Sequence, residues 1–194
     1  MNKHLKKTMS IINDAVRSVR DEEFESLIDA CETTLRQGNQ VVVSGLGKNV
    51  PVCEKFVGSM VSLGMRANFM HTNSAVHGDL GMVHPGDLVI ILTKSGTTVE
   101  SVYLAELLAL RDCQRWLLTF SRESELYKQI EHSVVPELSH EGDQWNVLPN
   151  NSTTINLILL QALAMILSER LTIRLEDFAP NHPGGAIGDA LKDI

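Results

Sequence analysis

The sequence feature that most constrains the fold is an uninterrupted apolar run, Leu88–Leu92, that ends in a turn rich in hydroxyl groups. Consecutive apolar residues of this kind are typical of a strand covered on both faces, as in a parallel sheet under helices. An amphipathic segment that begins at Val99 predicts a helix directly after the turn. The turn itself places four hydroxyl side chains around Gly96: Thr93, Ser95, Thr97 and Thr98.

This turn suits a phosphate group. The first backbone N–H groups of a helix have no partners within the helix and carry partial positive charge. Hydroxyl groups beside those N–H groups complete an anion site. The alternative is an ordinary Ser or Thr cap on the helix, but a single residue would suffice for that. The four hydroxyls therefore favour phosphate binding.

Four other short segments predict strands, and helical segments alternate with them: residues 41–44, 66–71, 115–120 and 133–136. This alternation predicts an α/β fold with a parallel, doubly wound sheet. In such sheets ligands bind beyond the carboxyl ends of the strands, near a point where the strand order reverses. The loops that hold Lys48, Ser95 and Glu141 all follow strands, so we expect these three residues at that edge.

Residues 1–38 predict two amphipathic helices ahead of the sheet. Such helices pack either on a partner subunit or on the protein's own core, and the pattern favours neither arrangement. A third cluster of hydroxyl and amide groups, residues 151–154, opens a long apolar helix that we predict to end near Leu171.

Composition narrows the class of partner and the compartment. The formal net charge of −7 argues against nucleic acid as the main partner. The three cysteines are widely spaced and predict free thiols in a reducing cytoplasm: Cys31, Cys53 and Cys113. No signal peptide follows the basic N-terminus, and the apolar segment 155–167 is too short to span a bilayer, so we expect no membrane association.

Two further features concern ligands. A G-x-G-K pattern, residues 45–48, joins a predicted buried strand to a helix, and its glycines allow close approach of a ligand to the backbone. Three histidines lie in or beside a long loop, but His71, His77 and His84 match no standard metal-binding spacing, so we expect no metal site.

Five segments together resemble the sugar isomerase (SIS) domain family, and within it the arabinose-5-phosphate isomerase branch. Two of them, H-G-D-L-G-M and H-P-G-G-A-I-G, are specific to this branch, whereas the S-G-[ET]-[ST] pattern occurs across SIS domains. The resemblance covers about residues 40–188 in the family's order and spacing. The segments are G-L-G-K at 45–48, H-G-D-L-G-M at 77–82, T-K-S-G-T-T-V-E at 93–100, N-S-T-T at 151–154 and H-P-G-G-A-I-G at 182–188.

The resemblance implies a three-layer αβα sandwich with a five-stranded parallel sheet, in which residues 1–194 form one SIS domain with its core at 40–188. It also implies a homotetramer that interconverts D-ribulose 5-phosphate and D-arabinose 5-phosphate without an organic cofactor or an obligatory metal. Family members usually continue into paired cystathionine-β-synthase-type regulatory domains, and the sequence ends at Ile194, so we expect their regulation to be missing. The pathway served stays open among lipopolysaccharide, capsule and polyol metabolism.

Isomerisation through an enediolate needs a phosphate anchor, an electrophile for the developing oxyanion, and a base. The hydroxyl-rich turn is the expected anchor, and Lys48 is expected near the oxyanion. The other expected contacts with the substrate's phosphate or sugar are Ser95, Thr97 and Thr98, then Thr93, Ser152 and Thr153, together with Gly47 and Asn49.

Two carboxylates match the family's acidic positions, Glu100 and Glu141. We favour Glu141 as the base, because it lies in a loop that is free to meet the sugar, and burial would raise its pKa toward neutrality. Glu100 would then orient Lys48, or simply complement the helix dipole from the first turn.

Two histidines are further catalytic candidates. His77 and His182 would open the furanose ring or move protons between oxygens. Pro183 and two glycines follow His182 and fix its backbone. In the family the histidine of H-P-G-G is thought to reach a neighbouring subunit's site.

The sequence departs from the family pattern at two places, and two alternative functions stay open. Asn49 stands where a serine commonly follows the lysine, and Thr97 stands where many members have glutamate. One alternative is another SIS isomerase of the 3-hexulose-6-phosphate type, against which the two branch-specific segments argue. The other is a non-catalytic sugar-phosphate-binding regulator, against which the absence of a basic helix-turn-helix argues.

Overall fold

The computed structural model describes residues 2–193, and a five-stranded sheet forms the centre of the chain. The strand order is β2-β1-β3-β4-β5, and every neighbouring pair is parallel. The predicted α/β class is therefore confirmed. The strands are β1 Val41–Gly45, β2 Ala67–His71, β3 Leu88–Leu92, β4 Gln114–Leu118 and β5 His132–Val134.

Helices precede the sheet, connect its strands and follow it, and short 3-10 turns lie at 47–49, 79–82 and 179–181. Ser124 caps α6 as predicted, because its side chain accepts a hydrogen bond from the Tyr127 N–H at 3.2 Å. The α-helices are α1 Lys3–Arg17, α2 Asp21–Arg36, α3 Val50–Ser62, α4 Thr72–Ala75, α5 Val99–Ala109, α6 Glu125–Gln129, α7 Asn151–Arg170, α8 Leu175–Phe178 and α9 Gly185–Leu191.

The sheet separates two apolar cores, one on each face. Successive strand residues point to opposite faces, so Val41 and Val43 pack with α1, α2, α3 and α7, whereas Val42 packs with α4, α5 and α6. All five residues of β3 are buried, as expected for a central strand covered on both sides. The result is the three-layer αβα sandwich that the resemblance implied.

The two N-terminal helices lie on the chain's own core, which decides between the two packings that the sequence left open. Ala15 of α1 and Ile28 of α2 are buried in the core on the α7 side of the sheet. Leu5 and Met9 on α1 remain exposed.

The long apolar helix α7 is a core helix, as predicted. It is long and apolar enough to cross a membrane by length and composition alone, but half of its most apolar window is buried inside the protein. The buried residues include Ile155, Leu159 and Leu163. The three cysteine thiols are free, and Cys31 and Cys53 are buried in the same core.

Two segments that the sequence presented as irregular contain short helices. The loop at residues 73–87 holds the end of α4 and a 3-10 turn at 79–82, and the tail at 177–188 holds parts of α8 and α9. Each of these helices is of seven residues or fewer, which is too short for hydrophobic periodicity to reveal it.

The topology places a ligand site between β1 and β3. The chain passes from β1 to β2 on one side and then returns to β3 on the other side of β1. This reversal opens a crevice at the carboxyl ends of these two strands. The turn with Lys48 follows β1 and the hydroxyl-rich turn follows β3, so both turns border the crevice.

Candidate functional site

A cleft of about 290 Å³ opens at this edge of the sheet. Its walls are the turn after β1, the turn after β3 and the first two turns of α7, which the sequence had marked as three separate clusters. Eight of the predicted site residues line the cleft: Gly47, Lys48, Asn49, Thr93, Ser95, Thr98, Ser152 and Thr153.

The turn after β3 is built around Gly96, whose φ is +65°. The Gly96 N–H donates to the Thr93 hydroxyl at 3.3 Å, and its carbonyl accepts from the Leu126 N–H at 3.1 Å. A β-carbon at this position would lie 2.2 Å from the Ser124 Oγ. The turn therefore requires glycine both for its left-handed backbone and for its close contact with the start of α6.

The start of α5 leaves donors free beside this turn. The Thr98 side chain makes no capping bond to α5 and instead lies 3.5 Å from the Thr93 hydroxyl. Within residues 2–193 the N–H groups of Thr98, Val99 and Glu100 have no hydrogen-bond acceptor. The arrangement is thus not the ordinary cap that the sequence left as an alternative, and it offers an anion both hydroxyl and N–H donors.

The floor of the cleft contains a pair of amide side chains that connects β1 to α7. The Asn156 Nδ2 donates to the Asn49 Oδ1 at 3.1 Å, and the Asn49 Nδ2 lies 3.4 Å from the Leu92 carbonyl. Asn156 is 1% exposed, and its Oδ1 has no partner among the residues described. Sequence reasoning missed Asn156, although a polar residue one helical turn after Ser152 in an apolar helix is a detectable signal.

Glu141 is completely buried at the start of α7. Its Oε1 accepts from the Ser152 hydroxyl at 2.7 Å and contacts the Lys94 Nζ at 2.8 Å. Its Oε2 accepts from the N–H groups of Asn150 at 3.0 Å and Ser152 at 2.9 Å. Burial by itself would raise the pKa of the Glu141 carboxyl, but Lys94 and these three hydrogen bonds outweigh it, so the pKa lies below its ordinary value.

This environment corrects two expectations about Glu141. The loop does not leave it free, because the Glu141 N–H donates to the Asn146 Oδ1 at 2.8 Å and its carboxylate is closed off from the cleft. Its pKa is lowered, not raised, because four donors converge on a carboxylate that is out of contact with solvent. In this state the carboxylate holds its donors in place at the start of α7.

Lys94 is a second residue that sequence reasoning missed. It lies between Thr93 and Ser95 and lines the cleft with them. Its signal was present in the sequence, since a lysine among hydroxyl residues directly after a buried strand is typical of an anion site.

Three other predicted site residues lie outside the cleft lining. Glu100 and His77 border a neighbouring cavity of about 290 Å³, which they share with Thr72 and Tyr103. Glu100 occupies the first turn of α5, where a carboxylate complements the helix dipole. Thr97 is exposed, and its hydroxyl donates to the Ser95 Oγ at 3.1 Å, so it supports the turn from outside.

His182 lies at the opposite edge of the sheet. Its ring stacks on Phe178 with 4.0 Å between ring centroids, and its Nδ1 lies 3.2 Å from the Phe178 carbonyl. The preceding residue, Asn181, donates to the carbonyl of Ser62 at the end of α3. Because α3 starts at the cleft edge and ends at the amino edge of the sheet, this chain does not bring its own His182 to its own cleft.

The histidines of the long loop do not assemble into a ligand set. Among residues 2–193, no group of three or more His, Cys, Asp or Glu side chains is arranged to hold a metal ion.

Comparison with known proteins agrees with this arrangement. The SIS domain family matches residues 34–166. The arabinose 5-phosphate isomerase KdsD of Pseudomonas aeruginosa is 36% identical over 185 residues, which are 95% of this chain and 57% of that protein. KdsD of Escherichia coli K12 is 34% identical over 162 residues, which are 84% of this chain and 49% of that protein. The chain thus spans about half the length of these curated relatives.

A solved structure offers a further comparison. A protein of Escherichia coli CFT073, whose structure is a complex with a sugar phosphate, superimposes with a TM-score of 0.83 and is 32% identical. The match covers 94% of this chain and 100% of that one. The cleft, the sheet topology and these relatives lead to one conclusion: the chain belongs to the SIS domain family, with similarity to the arabinose 5-phosphate isomerases.

Proposed function

We propose that this protein is an aldose–ketose isomerase that interconverts D-ribulose 5-phosphate and D-arabinose 5-phosphate in the cytoplasm. The observation that carries the proposal is the convergence of three hydroxyl-bearing segments and Lys48 on one cleft. The choice of sugar rests on the arabinose 5-phosphate isomerases among the relatives and on the related structure with a sugar phosphate, which we take to be arabinose 5-phosphate.

The phosphate of the substrate would bind between the starts of α5 and α7. Ser95 and Thr98 contribute hydroxyls from one side, and Ser152 and Thr153 contribute hydroxyls from the other. The free N–H groups at the start of α5 complete the anchor. Hydrogen bonds to a charged group are each worth about 1.5–3 kcal/mol, so this anchor would supply much of the binding free energy.

The reacting end of the sugar would extend toward Lys48. Proton transfer between C1 and C2 develops negative charge on the carbonyl oxygen, and an ammonium group nearby stabilises that charge. Lys48 is exposed at the mouth of the cleft. Within residues 2–193 it forms no ion pair, so its charge is available to the substrate.

Of the two candidate bases, the geometry favours Glu100. The Glu141 carboxylate already receives four donors and has a lowered pKa, which makes it a weak base. The Glu100 carboxylate is exposed, and within residues 2–193 it takes part in no ion pair. His77 borders the same cavity as Glu100 and would move protons between the sugar oxygens or assist ring opening.

His182 would act on a neighbouring subunit. It lies at the amino edge of its own sheet, away from its own cleft, so a catalytic role requires a second chain. We therefore propose a homotetramer in which the tail of one subunit completes the site of another.

The assignment of the base can be tested with two variants and a matched control. Glu100→Gln should lower kcat by roughly 100-fold or more while the Kd for arabinose 5-phosphate stays near the wild-type value, because basicity is removed and shape is kept. Glu106→Gln, on an exposed position of the same helix, should turn over normally. Normal turnover in Glu100→Gln, together with a dead Glu141→Gln that still binds substrate, would return the role of base to Glu141.

A further inference from the structure

We propose that Lys94 is a second cation of the cleft that binds the substrate's phosphate, and that the buried Glu141 is the positioning residue that holds it there. The proposal rests on the proposed function, because it names two further residues of the same sugar-phosphate site. It accounts for a fully buried carboxylate that the chemistry above does not otherwise use.

The geometry of the pair is asymmetric. The Lys94 Nζ lies 2.8 Å from the Glu141 Oε1, and the glutamate side chain is 0% exposed while the lysine side chain is 41% exposed. One end of the pair is therefore fixed in the protein, and the other faces the cleft that Lys94 lines. An ammonium group has three N–H donors, and within residues 2–193 Glu141 is the acidic side chain that Lys94 contacts. Donors remain for an anion.

Glu141 does not cancel the charge of Lys94, because its own charge is shared with other donors. The start of α7 donates two backbone N–H groups and the Ser152 hydroxyl to the same carboxylate. These bonds, with the positive end of a 20-residue helix, stabilise the carboxylate without help from the lysine. Lys94 therefore keeps attraction to spare for a second negative group.

The position of Lys94 matches the place where the phosphate would lie. Its backbone belongs to the turn before α5, and its side chain reaches Glu141 at the start of α7, so it connects the two helix ends. Ser95 and Ser152 line the cleft on either side of it. In a protein with a net charge of −7, a cation between two helix starts gives the phosphate a locally positive site.

The test measures phosphate binding without turnover, so it remains informative if the isomerase activity is absent. Inorganic phosphate and arabinose 5-phosphate are titrated calorimetrically into wild-type protein and into Lys94→Met, Lys94→Arg and Lys55→Met. We expect Lys94→Met to weaken both ligands by roughly 10- to 100-fold, as for loss of a hydrogen bond between charged groups. Lys94→Arg should retain most of the affinity. Lys55→Met, which removes an exposed lysine of α3, should bind as wild type.

The role of Glu141 is tested by a double-mutant cycle. Glu141→Gln should change the affinity for inorganic phosphate when Lys94 is present and leave it unchanged in the Lys94→Met background. The double variant also avoids an unpaired buried charge, so it serves if Lys94→Met alone does not fold.

Two results would overturn the proposal. If Lys94→Met, or the double variant, bound inorganic phosphate as tightly as the wild type, the ion pair would only join the turn to α7. If Glu141→Gln changed affinity equally in both backgrounds, Glu141 would not act through Lys94. Loss of isomerisation with these binding results intact would instead count against the proposed reaction and leave the role of Lys94 standing.

Discussion

Replacing Gly96 with alanine tests whether the hydroxyl-rich turn has the structure described above. An alanine held at a φ of +65° costs about 1–2 kcal/mol. The new β-carbon would also lie 2.2 Å from the Ser124 Oγ and 2.5 Å from its Cβ. Ser124 cannot turn away freely, because it is buried and its hydroxyl caps α6 by accepting from the Tyr127 N–H.

The magnitude follows from these two contributions. Displacing Ser124 removes a helix cap worth about 1–2 kcal/mol, so the total destabilisation of Gly96→Ala is about 2–4 kcal/mol. For a domain of this size that lowers the Tm by roughly 5–15 °C. Because the turn also bears the phosphate donors, the variant should bind inorganic phosphate more weakly than the wild type.

Two other glycines provide matched controls for the two contributions. Gly47 has a φ of +55°, but a β-carbon added there would meet nothing within 4 Å, so Gly47→Ala should show the backbone strain alone, about 1–2 kcal/mol. Gly58 lies within α3 with open space around it, so Gly58→Ala should stabilise the protein by about 0.5–1 kcal/mol. Thermal unfolding of all three variants gives the comparison. If Gly96→Ala were no less stable than Gly47→Ala, the contact between the turn and α6 would be refuted.

Two further predictions concern buried polar groups. The lowered pKa of Glu141 means that its ionisation stabilises the folded state above its ordinary pKa of about 4.5, and that this stabilisation is lost as pH falls through the lower folded value. Urea unfolding below pH 5 should therefore show a steeper loss of stability with falling pH in the wild type than in Glu141→Gln, and parallel curves would contradict the assignment. Asn156→Ala should raise the KM for the sugar phosphate several-fold while the Kd for inorganic phosphate stays unchanged, because the unpartnered Oδ1 lies on the cleft floor and would accept a sugar hydroxyl. Equal weakening of both ligands would place Asn156 at the phosphate instead.

The features that could be predicted from the sequence are those that depend on short stretches of chain and on the rules of parallel sheets. The run Leu88–Leu92 and its turn predicted a buried strand, a loop and a helix, and the structure has all three. Lys48 and Ser95 were expected at the same edge because both follow parallel strands, and both line the cleft.

The features that could not be predicted depend on contacts between distant residues. The state of Glu141 is decided by Lys94, which is 47 positions away in the sequence, and no local pattern shows that these side chains meet. His182 was identified as a site residue, but its location at the amino edge of the sheet follows from how the tail packs against the end of α3.

The central claim is that the cleft serves aldose–ketose isomerisation of a pentose 5-phosphate. The most direct measurement incubates the purified protein separately with D-arabinose 5-phosphate, D-ribulose 5-phosphate and a panel of hexose phosphates, and follows aldose–ketose conversion by NMR in deuterated water. The account predicts interconversion of the two pentose phosphates with deuterium incorporated at the carbon that exchanges its proton, and far slower conversion of the hexose phosphates. Binding of these sugars without conversion, or preferred conversion of a hexose phosphate, would contradict it.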